Sequence, residues 1–222
     1  MTDKKNGPRK VPAAAKNATA LEQADTTVTK AVAPYQESWP VRALSAIGKL
    51  GDQPPMLAIS SAVLGAGLVR SDRRMLRAGA RMIAAHVIAT ATKNYIKHRV
   101  DRTRPHVLVE EGRYKMEPGR NQAKEETSFP SGHTAGAVAV ARAFARDYPE
   151  HRRAAYAAAG VIALAQIPRC AHYPSDVAAG TAVGLAAEAL VQLATGQAET
   201  GANGDVAGDE RASPQAVPEP GL

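Results

Sequence analysis

The chain is poor in the residues that most often declare a function. Its 222 residues hold one cysteine, Cys170, which excludes an internal disulfide and any cysteine-rich metal framework. Aromatic residues make up 4%, leaving little material for stacking bases. No RNA- or DNA-binding motif is present, so nucleic acid is not expected as a partner despite a net charge of +7. No pair of well-spaced carboxylate or histidine ligands falls on one predicted face, so neither a metal nor another cofactor is expected. The first 36 residues are polar and basic (Lys4, Lys5, Arg9, Lys10, Lys16) without the apolar core of a cleaved secretory signal. No charge-free run reaches the ~20 apolar residues of a simple membrane span.

Alanine and glycine are abundant instead, and a core made of them requires helices that approach closely rather than large rings. This favours an all-α bundle. Residues 1–37 show no helical or strand period and read as a disordered basic arm. Residues 38–195 read as one helical domain, and 196–222, rich in Gly, Ala, Pro and acids, as a disordered acidic tail. Within the domain, a short segment at 41–50 has one apolar face interrupted by Arg42 and Lys49, as in an interfacial helix. Stronger helices are predicted over 56–69, 82–95, 130–148, 154–167 and 177–195. The polar stretch 100–129 is too long for a simple bundle connection, and loops of that length are usually functional or mobile. The count is five to six helices.

Charge then orients the bundle. If the five stronger segments each cross a bilayer, the turns containing Arg70 to Arg77 and Arg146 to Arg153 share one side, which the positive-inside rule makes cytoplasmic. The loops carrying Lys97 to Phe129 and Arg169 to Asp176 then meet on the other side, as one active site requires. The expectation is a membrane-embedded bundle in a bacterial-type inner or plasma membrane, with its site facing away from the cytoplasm.

Three clusters lie on that shared face. Lys97 and Arg104-Pro105 combine a point-charge ammonium with a forked guanidinium, a pairing suited to a phosphoryl group. Taken alone they are also ordinary interface anchors. Pro130-Ser131-Gly132-His133 opens a helix whose free N–H groups and dipole favour an anion, although Pro-Ser has a plain capping explanation as well. His133 stands where it could protonate a departing oxygen. Finally, His172 and Asp176 lie four residues apart across Pro174. One helical turn would let Asp176 accept a hydrogen bond from the imidazole and leave the other nitrogen free to attack.

In order, Lys-x6-Arg-Pro, Pro-Ser-Gly-His and His-x3-Asp resemble the type 2 phosphatidic acid phosphatase (PAP2) family, which shares its core with the vanadium haloperoxidases. The likeness covers roughly residues 45–193 and includes the Gly51-Asp52 turn. It implies a metal-independent phosphatase: His172 attacks phosphorus, Asp176 orients it, and His133 protonates the leaving group and then activates water. Lys97, Arg104, the Ser131 hydroxyl and the Gly132 N–H would hold the phosphoryl oxygens. The expected substrate is a lipid phosphate or diphosphate, and membrane lipids are the expected surroundings.

One departure stands out. The family's third motif begins Ser-Arg, and this chain has Ala165-Gln166 there. Gln166 can donate a hydrogen bond to phosphate but brings no charge, and Arg169 is the nearest candidate to supply one. The gap leaves two other readings: a weakened or non-catalytic lipid-phosphate-binding protein, and, further off, a vanadate-dependent haloperoxidase. His86 and Glu188 lie inside apolar helices and read as buried pairs or water-facing groups. His98, His106 and His151 read as solvated loop residues.

Overall fold

The computed structural model describes residues 19–209, with side chains through Thr195. Eight α-helices and a two-stranded antiparallel ladder follow in the order α1 (Ala20–Val32), α2 (Trp39–Gly48), α3 (Gln53–Arg70), α4 (Arg73–Lys97), β1 (Val100–Arg102), α5 (Pro105–Glu111), β2 (Met116–Pro118), α6 (Gly132–Asp147), α7 (Arg152–Ala165) and α8 (Pro174–Asp209). The fold is the expected all-α bundle, with α1 and the short α5 raising the count above five to six.

The centre is α6, which packs against α3, α4, α7 and α8. Its buried positions include Ala135, Ala137, Ala139, Ala141 and Ala143, so neighbouring backbones come close. A Cβ on Gly180 would stand 2.5 Å from the Ser131 carbonyl oxygen, and one on Gly184 would stand 2.6 Å from that of Ala135. Only glycine permits this α6–α8 distance, and the alanine core follows from it.

The two basic turns meet at one end of the bundle, as the charge pattern predicts. There the Arg74 Nη2 lies 2.6 Å from Glu150 Oε1 and the Arg77 Nε 2.5 Å from Asp147 Oδ1. The buried Glu188 is paired with Arg142 at 2.5 Å and also with Arg146, the pairing expected of an acid inside an apolar helix. Large apolar side chains face outward on most of the described helices, among them Ile59 and Leu68 of α3, Val87 of α4, Leu164 of α7 and Leu190 of α8. Among the described residues, one helix segment, Pro174–Thr195, is long and apolar enough to cross a membrane.

Three expectations are corrected. The basic arm is not disordered over its described part: α1 starts with a capping box in which Thr19 accepts from the Glu22 N–H and Glu22 from that of Thr19. Its buried face is Asp25, Thr26 and Thr29, so it carries no apolar period to read. Residues 1–18 lie outside the described part. The backbone of α8 runs on to Asp209, past the predicted end at 195, and 210–222 lie outside the described residues. The stretch 100–129 is not a plain loop, because β1 and β2 pair there with Arg102 opposite Met116.

Adding a side chain at the α6–α8 contact should therefore be costly. Gly184→Val is expected to lower unfolding free energy by about 1–3 kcal/mol. Gly160→Ala, where nothing lies within 4 Å of the added Cβ, should be neutral or stabilising by about 0.5–1 kcal/mol. Denaturant unfolding of the two variants side by side checks the contrast.

Candidate active site

At the other end, the C-terminus of α4, the N-terminus of α6 and the loop before α8 surround a cavity of about 150 Å³. Lys97, Arg104, Gly132, His133 and His172 all line it. The His172 and His133 rings face each other with centroids 6.3 Å apart. Five of the nine candidate residues thus share one surface.

Each is aimed by local structure. Lys97 ends α4 and donates to the Thr127 carbonyl. The Arg104 guanidinium is held by the carbonyls of Lys124 at 2.7 Å, Ala171 at 3.4 Å and Thr127 at 3.5 Å. These carbonyls orient the two cations without cancelling their charge. His133, in the first turn of α6, has its Nε2 2.6 Å from Asp52 Oδ1, and Asp52 is the residue just before α3, its side chain free of any capping bond to that helix. The His172 backbone N–H donates to the Gln166 carbonyl at 3.2 Å, and Cys170, at φ 52°, turns the loop so that its carbonyl meets the His106 N–H.

Asp176 is fully buried and lies 3.7 Å from the His172 Nδ1. That distance is too long for the hydrogen bond expected from the spacing. Its oxygens are engaged elsewhere: Oδ2 accepts from Ser128 Oγ at 2.6 Å and the Tyr173 N–H at 2.9 Å, and Oδ1 from Arg102 Nη1 at 2.6 Å. The carboxylate acts on the imidazole through its charge. Burial nevertheless lowers the His172 pKa to about 4; Asp176 opposes this, while Arg104 and Lys97 push the same way. The ring is neutral at pH 7, the state a nitrogen nucleophile needs.

Three candidates do other work. Ser131 is fully buried, caps α6 through Thr134 and takes no part in the cavity wall. Gln166 is also buried, with Nε2 donating to the Ile162 carbonyl at 2.8 Å, so its amide braces the end of α7. Arg169 lies against Gln166 Oε1 at 3.5 Å and lines a neighbouring groove with Arg42 and Lys49. It does not stand on the cavity wall in the place the missing arginine would fill.

The sequence reading missed the support beneath Asp176. Arg102, fully buried on β1, sits between Asp176 and Asp25 of α1, 2.6 and 2.7 Å away. Its guanidinium carbon stacks 4.3 Å from the Tyr173 ring centroid. Ser175 joins both acids' partners, accepting from Arg102 at 2.7 Å and donating to Asp25 from its hydroxyl and its N–H. Burial opposes the guanidinium charge, but Asp176 and Asp25 outweigh it and hold the pKa above its ordinary value. Arg102 falls inside the x6 gap of the first cluster, and only its place two residues before Arg104 could have drawn notice. Asp52 was read as a turn residue alone.

Two measurements probe this arrangement. Histidine-labelled NMR should show the His172 ring neutral from pH 8 down to about pH 4, with protonation only near that value. Arg102→Met, which leaves two buried carboxylates without their cation, should cost about 3–5 kcal/mol of stability and expose α1 to limited proteolysis.

Comparison with known proteins agrees with this geometry. The PAP2 superfamily model matches residues 78–198, a span containing all three clusters. Lipid A 1-phosphatase of Rhizobium etli is 36% identical over 106 residues, 48% of this chain and 45% of that protein. Decaprenylphosphoryl-5-phosphoribose phosphatase of Mycobacterium tuberculosis is 33% identical over 141 residues, 61% of this chain and 70% of that protein. The matches cover about half the length of the rhizobial relatives. Among solved structures, the transmembrane PAP2 type phosphatidylglycerolphosphate phosphatase from Bacillus subtilis superimposes with a TM-score of 0.56 at 20% identity, covering 83% of this chain and 90% of its own. LpxE from Aquifex aeolicus gives 0.56 at 17% identity, with 76% and 94% covered. With the family model spanning more than half of its length and the helical fold shared, the chain belongs to the PAP2 superfamily.

Proposed function

We propose that the protein is a membrane lipid phosphatase that hydrolyses a phosphomonoester or diphosphate through a phosphohistidine. The observation that carries this reading is the pair of histidines facing each other across a small, cation-walled cavity, one neutral and one held by a carboxylate. Because Nδ1 of His172 is turned to Asp176, Nε2 is the attacking atom. Its lone pair forms the P–N bond as the P–O bond to the leaving group breaks, and His133 gives that oxygen a proton. In the second half, His133 takes a proton from water, the water oxygen bonds to phosphorus and the P–N bond breaks. Inorganic phosphate leaves and His172 returns to its neutral form. Asp52 favours the His133 imidazolium and Asp176 the positive charge that develops on His172. Lys97, Arg104 and the Gly132 N–H offset charge on the phosphoryl oxygens.

Two features support a lipid substrate and a bilayer. The outward apolar side chains of α3, α4, α7 and α8 suit lipid rather than water. A second, apolar cavity of about 410 Å³ runs between α3, α6 and α7, lined by Leu50, Ile59, Val63, Phe144, Ala158 and Ile162. It adjoins the first: a Cβ on Gly51, which lines the phosphate cavity, would stand 2.6 Å from Ile162 Cγ2. A head group in one and a hydrocarbon chain in the other match an amphiphilic phosphate. The names of the relatives above, a lipid A phosphatase and a decaprenyl-linked phosphatase, agree with this. The membrane side that bears the site is, on the charge pattern, the one away from the cytoplasm.

Purified protein should release phosphate from phosphatidic acid or a prenyl diphosphate in the presence of EDTA. His172→Ala should abolish release, and orthovanadate should inhibit it. Binding of lipid phosphate without release would instead make the protein a non-catalytic member of its family. Ala158→Trp, which fills the apolar cavity, should raise KM roughly tenfold for long-chain substrates and leave short-chain phosphates unaffected.

A further inference from the structure

The family arginine that would stand at Gln166 is absent, and Arg169 lines a different groove. The cavity wall nonetheless holds a third cation. Four side chains of α4 line it: His86, Thr90, Lys93 and Lys97. Their spacing of four, three and four residues is that of one helix face, so a polar stripe runs down from the family lysine into the bundle.

Lys93 occupies an unusual place on that stripe. Its Cδ and Nζ lie 3.0 and 3.4 Å from where a Cβ on Gly132 would be, so the absence of a side chain at 132 is what lets the ammonium lie against the first turn of α6. A helix N-terminus is the positive end of the dipole and repels a cation there. Among the described residues no carboxylate pairs with Lys93 to relieve that repulsion. Deeper still, His86 is 3% exposed and neither of its ring nitrogens has a hydrogen-bond partner among the described residues. A half-buried ammonium, a helix N-terminus and an unsatisfied imidazole sharing one cavity are mutually unfavourable until an anion lies among them.

From this juxtaposition we infer that Lys93 is a phosphate-binding residue, supplying from α4 the positive charge that the chain lacks at Gln166, with Thr90 and His86 forming the polar floor beneath the bound group. The inference rests on the phosphatase reading and deepens it. The third cation is delivered from the first motif's own helix, one turn before Lys97, rather than from the third motif.

Lys93→Met, Lys93→Arg and His172→Ala, each in the full chain, test it with a lipid phosphate as substrate and orthovanadate as the binding probe. Lys93→Met should lower kcat/KM about a hundredfold and weaken vanadate binding at least tenfold, while its melting temperature stays level or rises because a repulsion has been removed. Lys93→Arg should recover most of both losses. A Lys93→Met protein within threefold of the unmodified chain on both readouts overturns the inference. If Lys93→Met does not fold, Lys93→Gln set against Lys93→Arg gives the same comparison. An unmodified chain that releases no phosphate overturns the phosphatase reading instead, and calorimetric titration with vanadate then still decides the role of Lys93.

Discussion

A single buried guanidinium joins two carboxylates from opposite parts of the chain, and the cavity end of the bundle is assembled around it. Arg102 is fully enclosed between Asp25 of α1 and Asp176 of α8, which would be a heavy desolvation cost for any one of the three alone. Two acids, the Ser175 hydroxyl and the Tyr173 ring together make the site tolerable for the cation. The consequences spread from there. The backbone carbonyl of Arg102 accepts from the Ser128 N–H, and the Ser128 hydroxyl holds Asp176, so the same residue fixes that carboxylate by two routes. With one cation and two anions, the cluster keeps a net negative charge facing His172. That sign favours any positive charge that develops on the His172 ring.

The two ends of the bundle show how the same residue types are put to different use. At the end where α3 meets α4 and α6 meets α7, Arg74, Arg77, Arg142 and Arg146 each contact an acid, with Glu188 shared by the last two, so their charge is tied into ion pairs. Where α4 ends and α6 begins, Lys97 and Arg104 are held by backbone carbonyls, which fix direction and leave the charge unspent. Charge paired with acids holds helices together, whereas charge left without a carboxylate in a cavity is available to an anion. The glycine and alanine contacts between α6 and α8 make this possible, since they bring three helix ends close enough to share a space of about 150 Å³.

What could be read from the sequence follows from how each feature is encoded. The helices of the bundle are largely apolar runs between charged turns, and α3, α6 and α7 fell close to their expected bounds, whereas α4 begins at Arg73, because its first turns carry arginines, and α8 runs on to Asp209. That Lys97, Arg104, Gly132, His133 and His172 share one cavity was legible because residue type and order mark those positions. Ser131 and Gln166 were placed on phosphate by motif alone, and the structure gives their side chains to Thr134 and the Ile162 carbonyl. Helix α1 was illegible because its inward face is Asp25, Thr26 and Thr29, and its reason to be buried is a cation 77 residues away. Arg102 and Asp52 were hidden for the same reason: a polar residue in a loop declares its role only through its partner. Lys93 was lost inside a helix read for hydrophobicity, where one face of an apolar run carried the polar residues.

Cys170 adds one practical consequence. It is fully buried two residues before His172, in the left-handed region of the backbone, and burial raises its thiol pKa to about 11. A thiol so placed reacts only when the segment around it opens. Because no second cysteine exists in the chain, its rate of alkylation is a site-specific clock for the opening of the loop that carries His172, present in the sequence without any engineered label.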